Sequence, residues 1–184
     1  MKKGLIIGLI IVALIFVWGF SQYNGLITLN ENVNSQWSQV ENQLQRRADL
    51  IPNLVATVKG YAAHEQKIFT DVADARSRLL NASGPQESAQ ANGELNSALG
   101  RLLAISESYP QLKADKNFLQ LQDELAGTEN RIAVARKDYN DAVQGYNTKI
   151  KRFPTIIFAG VLGFGTKEYF KADVGASEPP QVSF

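Results

Sequence analysis

The chain of 184 residues predicts an all-α protein, an N-terminal transmembrane helix followed by an antiparallel four-helix bundle. Three observations predict it. Residues 4–20 form an apolar run without a charge. Beyond it, apolar residues recur at spacings of three and four through four segments, with no strand alternation of note. "NASGP" and "SYPQLKADKN" break the chain after the second and third of them.

The anchor comes first, in "MKKGLIIGLIIVALIFVWGF". A helix over residues 4–20 reaches roughly 25 Å, the short end of what crosses a bilayer core, and Trp18 and Tyr23 fall where interfacial aromatics belong. A signal peptide would carry a shorter apolar region followed by a small-x-small cleavage site, and none follows residue 20, so residues 1–24 are assigned to an uncleaved anchor. Lys2 and Lys3 precede the span, whereas residues 21–45 hold no Lys or Arg. The positive-inside rule then places the N-terminus in the cytoplasm and the rest outside a cell membrane crossed once.

Residues 25–152 are expected to form the bundle. The first helix, residues 25–61, carries Leu26, Leu29, Val33, Trp37, Val40, Leu44, Ile51, Val55 and Val58 on one stripe. The second, residues 64–81, carries Ile68, Phe69, Val72, Ala75 and Leu79 and stops at "NASGP". The third, residues 86–107, is weakened by Asn92, Gly93 and Gly100 but keeps its period through Leu95, Leu99, Leu102 and Leu103. After "SYPQLKADKN" breaks the chain, the fourth, residues 117–151, carries Phe118, Leu121, Leu125, Ile132, Ala135, Tyr139, Val143, Tyr146 and Ile150.

Charges on these stripes define the candidate structural site. Arg47 lies three residues after Leu44 and four before Ile51, so it points with the core, while Arg46 sits about 100° away. Glu129 and Arg136 hold equivalent positions on the fourth helix. A desolvated guanidinium needs a carboxylate, so an ion layer of Arg47, Glu129 and Arg136 is expected, with Arg47 paired to Glu129 as a buried pair that fixes helix register. The alternative is that Arg47 sits at the stripe's edge and snorkels to water. Pro52 removes an amide donor, and the stripe keeps its phase across it, so a kinked continuous helix is expected rather than a restart capped by Asp49.

"YNGLITLNENVNSQWSQVENQLQRRADLIPNLVATVKGYAAHE" and "NFLQLQDELAGTENRIAVARKDYNDAVQGYNTKIKRFPTIIFAG" resemble the two signature blocks of the LemA family of bacterial membrane proteins. The resemblance runs through "SESYPQLKADKN" and the closing "EPPQVSF", with "LNASGPQESAQANG" the uncharacteristic link. It implies an N-terminal membrane segment and an antiparallel helical bundle, and it implies no catalytic residues. It also implies a connection with membrane zinc metalloproteases, with cell-envelope stress and with magnetosome membranes.

The residues themselves argue against catalysis. With no cysteine and a single histidine, His64, one chain can build neither a zinc hydrolase site nor a ferritin-like di-iron site. His64 and Glu65 are helix neighbours about 100° apart, and no nucleophile accompanies them. "GVLGFG" lacks the lysine of a phosphate loop. No cofactor is expected. A net charge of +1 leaves no footprint for nucleic acid.

Residues 153–184 comprise an apolar segment and an extended tail. "FPTIIFAGVLGFG" is too short to span a bilayer, and it is expected to fold back and bury Ile156, Ile157, Phe158 and Leu162; the alternative is a segment that touches membrane or a partner. Pro179 and Pro180 keep the tail extended. Three "YN" pairs begin at Tyr23, Tyr139 and Tyr146, the last two one heptad apart, and are expected in the core.

The function expected is a non-enzymatic membrane-anchored scaffold or adaptor of the bacterial cell envelope. Its partners are the bilayer, through the N-terminal helix, and a protein in the membrane, either a zinc metalloprotease or further copies of the chain. The alternative is a lipid-interacting protein that shapes or senses the membrane; against it, Lys149, Lys151 and Arg152 are the only dense basic cluster.

Overall fold

The computed structural model describes residues 2–171. The expected extended tail beyond residue 171, with Pro179 and Pro180, lies outside the described residues. The fold is all-α, a helical bundle, with helices α1 (Lys2–Lys59), α2 (Gln66–Asn81), α3 (Gly84–Ile105), α4 (Pro110–Lys113), α5 (Lys116–Lys151) and α6 (Thr155–Val161), and a 3-10 turn at Ser106–Ser108. The chain divides into two compact units, Met1–Gln36 with Asp141–Lys167, and Trp37–Asn140 with Glu168–Phe184.

In the second unit the core is built as the apolar spacing predicts. Val40, Leu44, Ile51 and Val58 of α1, Phe69, Val72 and Leu79 of α2, Leu95, Leu99 and Leu102 of α3, and Phe118, Leu125, Ile132 and Tyr139 of α5 are all buried. Ala48 and Leu54 join them from α1. The link between α2 and α3 is only residues 82–83, too short for anything but a reversal. Gly84 takes φ +78°, a conformation open to glycine, and Pro85 fills the first turn where its missing donor costs little. Glu87 accepts the Ser83 amide at 2.9 Å and closes the helix start. Asp115 caps α5 by accepting the Phe118 amide at 3.0 Å, and it also accepts the Tyr61 hydroxyl at 2.9 Å.

Helix α1 runs through Pro52 without a restart. Asp49 caps nothing and instead accepts Gln45 Nε2 at 2.9 Å. A proline at 52 cannot donate to the carbonyl of Ala48, which is fully buried and would be left unsatisfied. Arg76 of α2 fills the gap, its Nε donating to the Ala48 oxygen at 2.7 Å. The proline thus converts a helix carbonyl into a receptor for a neighbouring helix.

In the first unit, Leu26, Val33, Val143, Tyr146 and Ile150 are buried, with Thr155 and Ala159 of α6. Toward the N-terminus the apolar surface is exposed instead: Ile6, Leu9, Val12, Leu14, Phe16 and Phe20 are each more than half exposed. Among the described residues one helix is long and apolar enough to cross a membrane, α1, with a window of mean hydropathy 2.1 and none of that window buried within the chain. An apolar surface of this length with nothing over it suggests membrane anchoring.

The segment after α5 does not fold as expected. Residues 155–161 form a short helix, but Ile156, Ile157 and Leu162 are about half exposed and Phe153 and Val161 are 80% and 87% exposed. What α6 buries is its small face, Thr155 and Ala159. Hydrophobicity alone cannot tell a residue that packs on protein from one that faces another apolar medium, and here the bulky residues point away. Gly163 at φ +77° ends the helix in a left-handed cap, with the Phe164 amide donating to the Ala159 carbonyl at 2.9 Å.

Candidate functional site

A polar cluster in the second unit gathers around Arg47, whose residue is 5% exposed amid the apolar stripe of α1. Its Nη1 donates to Asn92 Oδ1 at 2.9 Å and to Glu129 Oε2, and its Nη2 donates to Asn96 Oδ1. Three helices, α1, α3 and α5, therefore meet on one guanidinium. Arg47 Nε is buried without a hydrogen-bond partner among the described residues. Burial pulls the guanidinium below the ordinary arginine range, and Glu129 pulls it back by charge and by hydrogen bonding. It stays charged, because arginine does not deprotonate in proteins.

The pair is lopsided: the Arg47 side chain is 6% exposed and that of Glu129 41%. One charge is desolvated and the other keeps water, so the wholly buried pair expected from the stripe is a half-buried one. Asn92 and Asn96 supply the remaining acceptors. From the sequence Asn92 reads as a helix weakener and Asn96 is not singled out, yet Asn92 sits three residues before Leu95 on the inner face, and that placement was the available signal.

Arg136 does not join this layer. Its guanidinium carbon lies 4.6 Å from the ring centre of Phe170, over its face. Phe170, 2% exposed, comes from the segment after α6 and also stacks on Trp37 at 6.3 Å, itself 5.3 Å from Tyr139. The stripe position of Arg136 is filled against a tail whose return the helix pattern cannot reveal.

The "YN" pairs resolve into a second device. In the second unit Asn140 brackets one residue's backbone: Nδ2 donates to the Phe170 carbonyl at 3.0 Å and Oδ1 accepts the Phe170 amide at 2.9 Å. In the first unit Asn147 does the same to Lys167, at 2.9 and 2.8 Å. Tyr139 and Tyr146 are buried beside them, and the Tyr139 hydroxyl donates to the Glu168 carbonyl at 2.8 Å. Burial, with the Glu168 carboxylate adding, pushes the Tyr139 phenol up to about 12, and burial alone raises that of Tyr146. A side-chain amide that pairs with both backbone groups of one residue holds a passing segment without reading its sequence. The third pair departs from the core expectation: Tyr23 is 39% exposed and faces Phe164, and the Asn24 backbone carbonyl accepts the Thr28 hydroxyl.

His64 is exposed in the link between α1 and α2. Among the described residues no group of three or more His, Cys, Asp or Glu side chains is placed to hold a metal ion.

An exposed apolar N-terminal helix continuing into a packed helical bundle defines a class of bundle proteins with one candidate membrane anchor. The chain belongs to the LemA family, whose model matches residues 36–184. It is 29% identical to magnetosome protein MamQ 2 of Paramagnetospirillum magneticum, over 96% of this chain and 76% of that protein. It is 30% identical to magnetosome protein MamQ of Magnetospirillum gryphiswaldense, over 88% and 70%. Protein LemA of Metamycoplasma hominis is 26% identical, over 84% and 74%.

Proposed function

We propose that the chain is a non-enzymatic scaffold or adaptor of the bacterial cell envelope, anchored by α1 with its N-terminus in the cytoplasm and its bundle outside. It holds another membrane protein in place, a zinc metalloprotease or further copies of itself. The observation that carries this reading is the continuity of α1. One uninterrupted helix has Leu9 and Phe16 exposed near its start and Ile51 and Leu54 fully buried near its end. A chain so built couples whatever binds the bundle to the bilayer. The relatives named as magnetosome proteins support a role at membranes.

Extraction from native membranes in mild detergent, followed by crosslinking and mass spectrometry, tests the reading. The chain is expected in a defined complex; recovery only as a free monomer contradicts it. The reading of a lipid-interacting protein is favoured by one observation, the exposure of Ile156, Ile157, Val161 and Leu162.

A further inference from the structure

We propose that α6 is a second membrane contact, lying in the lipid interface beside the α1 anchor with the basic end of α5 at the level of anionic phospholipid headgroups. The proposal rests on the reading of α1 as an anchor, and on neither its scaffold role nor its orientation.

Four observations in the first unit converge on it. The outer face of α6 is Ile156, Ile157 and Val161, all more than half exposed, with Phe153 before it and Leu162 after it. The helix and the turn after it are joined to the anchor: Phe158 of α6 meets Trp18 edge-on at 5.7 Å, and Phe164 beyond it meets Tyr23 at 5.9 Å. Trp18 and Tyr23 are the aromatics that mark the anchor's passage from hydrocarbon to headgroup, so α6 is fastened at that depth. Between α1 and α6 runs a cleft of about 520 Å³ lined by Phe16, Gly19, Phe20, Tyr23, Phe158 and Leu162. The exposed apolar surface of α6 is therefore continuous with that of the anchor.

Length and charge select the occupant. At 1.5 Å per residue a helix of 7 residues rises only about 10 Å, so it lies within one interface and cannot cross. Lys149, Lys151 and Arg152 immediately precede it, the latter two exposed. On the α6 side of the anchor the unit carries Lys149, Lys151, Arg152 and Lys167 against Glu31 and Asp141 as acids. Bulky apolar residues next to a basic turn, at the depth of an aromatic belt, match the requirements of an anionic lipid surface. A water-facing α6 would leave four large aliphatic side chains exposed together.

The test uses the full chain in nanodiscs. It has no cysteine, so Leu9→Cys, Lys67→Cys, Ile157→Cys and Val161→Cys each carry one nitroxide whose depth is read by collision with oxygen against a water-soluble nickel complex. Labels at 157 and 161 are expected to meet oxygen and exclude nickel, as at 9, with 67 meeting nickel. Leu9 in lipid with 157 and 161 in water overturns this proposal and leaves the anchor standing. Leu9 in water overturns the anchor and the proposal together. Labels at 157 and 161 shielded from both reagents mean a protein cover, such as a second copy, and also overturn it. Replacing part of the phosphatidylcholine by phosphatidylglycerol is expected to move the 157 label deeper, with the shift lost in Lys149→Gln/Lys151→Gln/Arg152→Gln. No shift in the unaltered chain contradicts the headgroup contact.

Discussion

Arg76 donates its Nε hydrogen to the Ala48 carbonyl at 2.7 Å, the carbonyl that Pro52 leaves without its helical donor. Removing the arginine should orphan a buried acceptor and cost about 1–2 kcal/mol. Pro52→Ala supplies the helix donor that proline lacks, so Arg76→Ala made in that background should cost less than about 0.5 kcal/mol. Denaturant unfolding of the four proteins of this cycle measures the coupling; equal losses from Arg76→Ala in both backgrounds would show that the proline and the arginine are unrelated.

The Arg47 cluster should respond asymmetrically. Arg47→Ala leaves a cavity and the acceptors of Asn92 and Asn96 without their donor, and should cost about 3 kcal/mol or more. Glu129→Gln keeps an acceptor oxygen at a half-exposed position where water can enter, and should cost about 1 kcal/mol. Melting temperatures by circular dichroism rank the two. An unchanged value for Arg47→Ala would remove the cluster from the stability of the bundle.

Asp115 should shape the acid limb of stability. The Phe118 amide first, and the Tyr61 hydroxyl second, hold its carboxyl below the usual carboxylate range. A lowered folded value means that its contribution is complete above the unfolded pKa, near 3.9, and is lost as pH falls through the folded value. Asp115→Asn can still accept the amide hydrogen but does not titrate there. Its melting temperature should therefore fall less steeply than that of the parent below about pH 4; parallel curves would contradict the assignment.

The asparagine brackets should be visible in hydrogen exchange. Asn140→Ala frees the Phe170 amide and Asn147→Ala the Lys167 amide, each by losing two hydrogen bonds. Each exchange rate should rise at least about tenfold at the freed residue, with little change in the cores of α2 and α3. Rates unchanged at 167 and 170 would show that the segment is held by other contacts.

Much of the fold was legible because it rests on periodicity. Leu44, Ile51 and Val58 share a face, and so do Leu125, Ile132 and Tyr139, and that spacing also brings Arg47 inward. What decides the rest is distant in sequence. Nothing near Pro52 announces Arg76, and nothing near Arg136 announces Phe170. The apolar run through α6 was legible as apolar, but Ile156 and Ile157 carry no mark separating core from exposed surface. The "YN" repeat signalled a regular device, and its chemistry emerged only with the segment that returns after α6.

The proposed anchor and scaffold depend on α1 crossing the membrane, and the external placement of the bundle on its crossing with Lys2 and Lys3 inside. Protease added to intact spheroplasts measures this directly. Digestion of the bundle before lysis, with a membrane-held N-terminal fragment remaining, is the expected result. Protection of the bundle until the membrane is lysed would contradict the orientation, and release of the intact chain by alkaline carbonate would contradict the anchor itself.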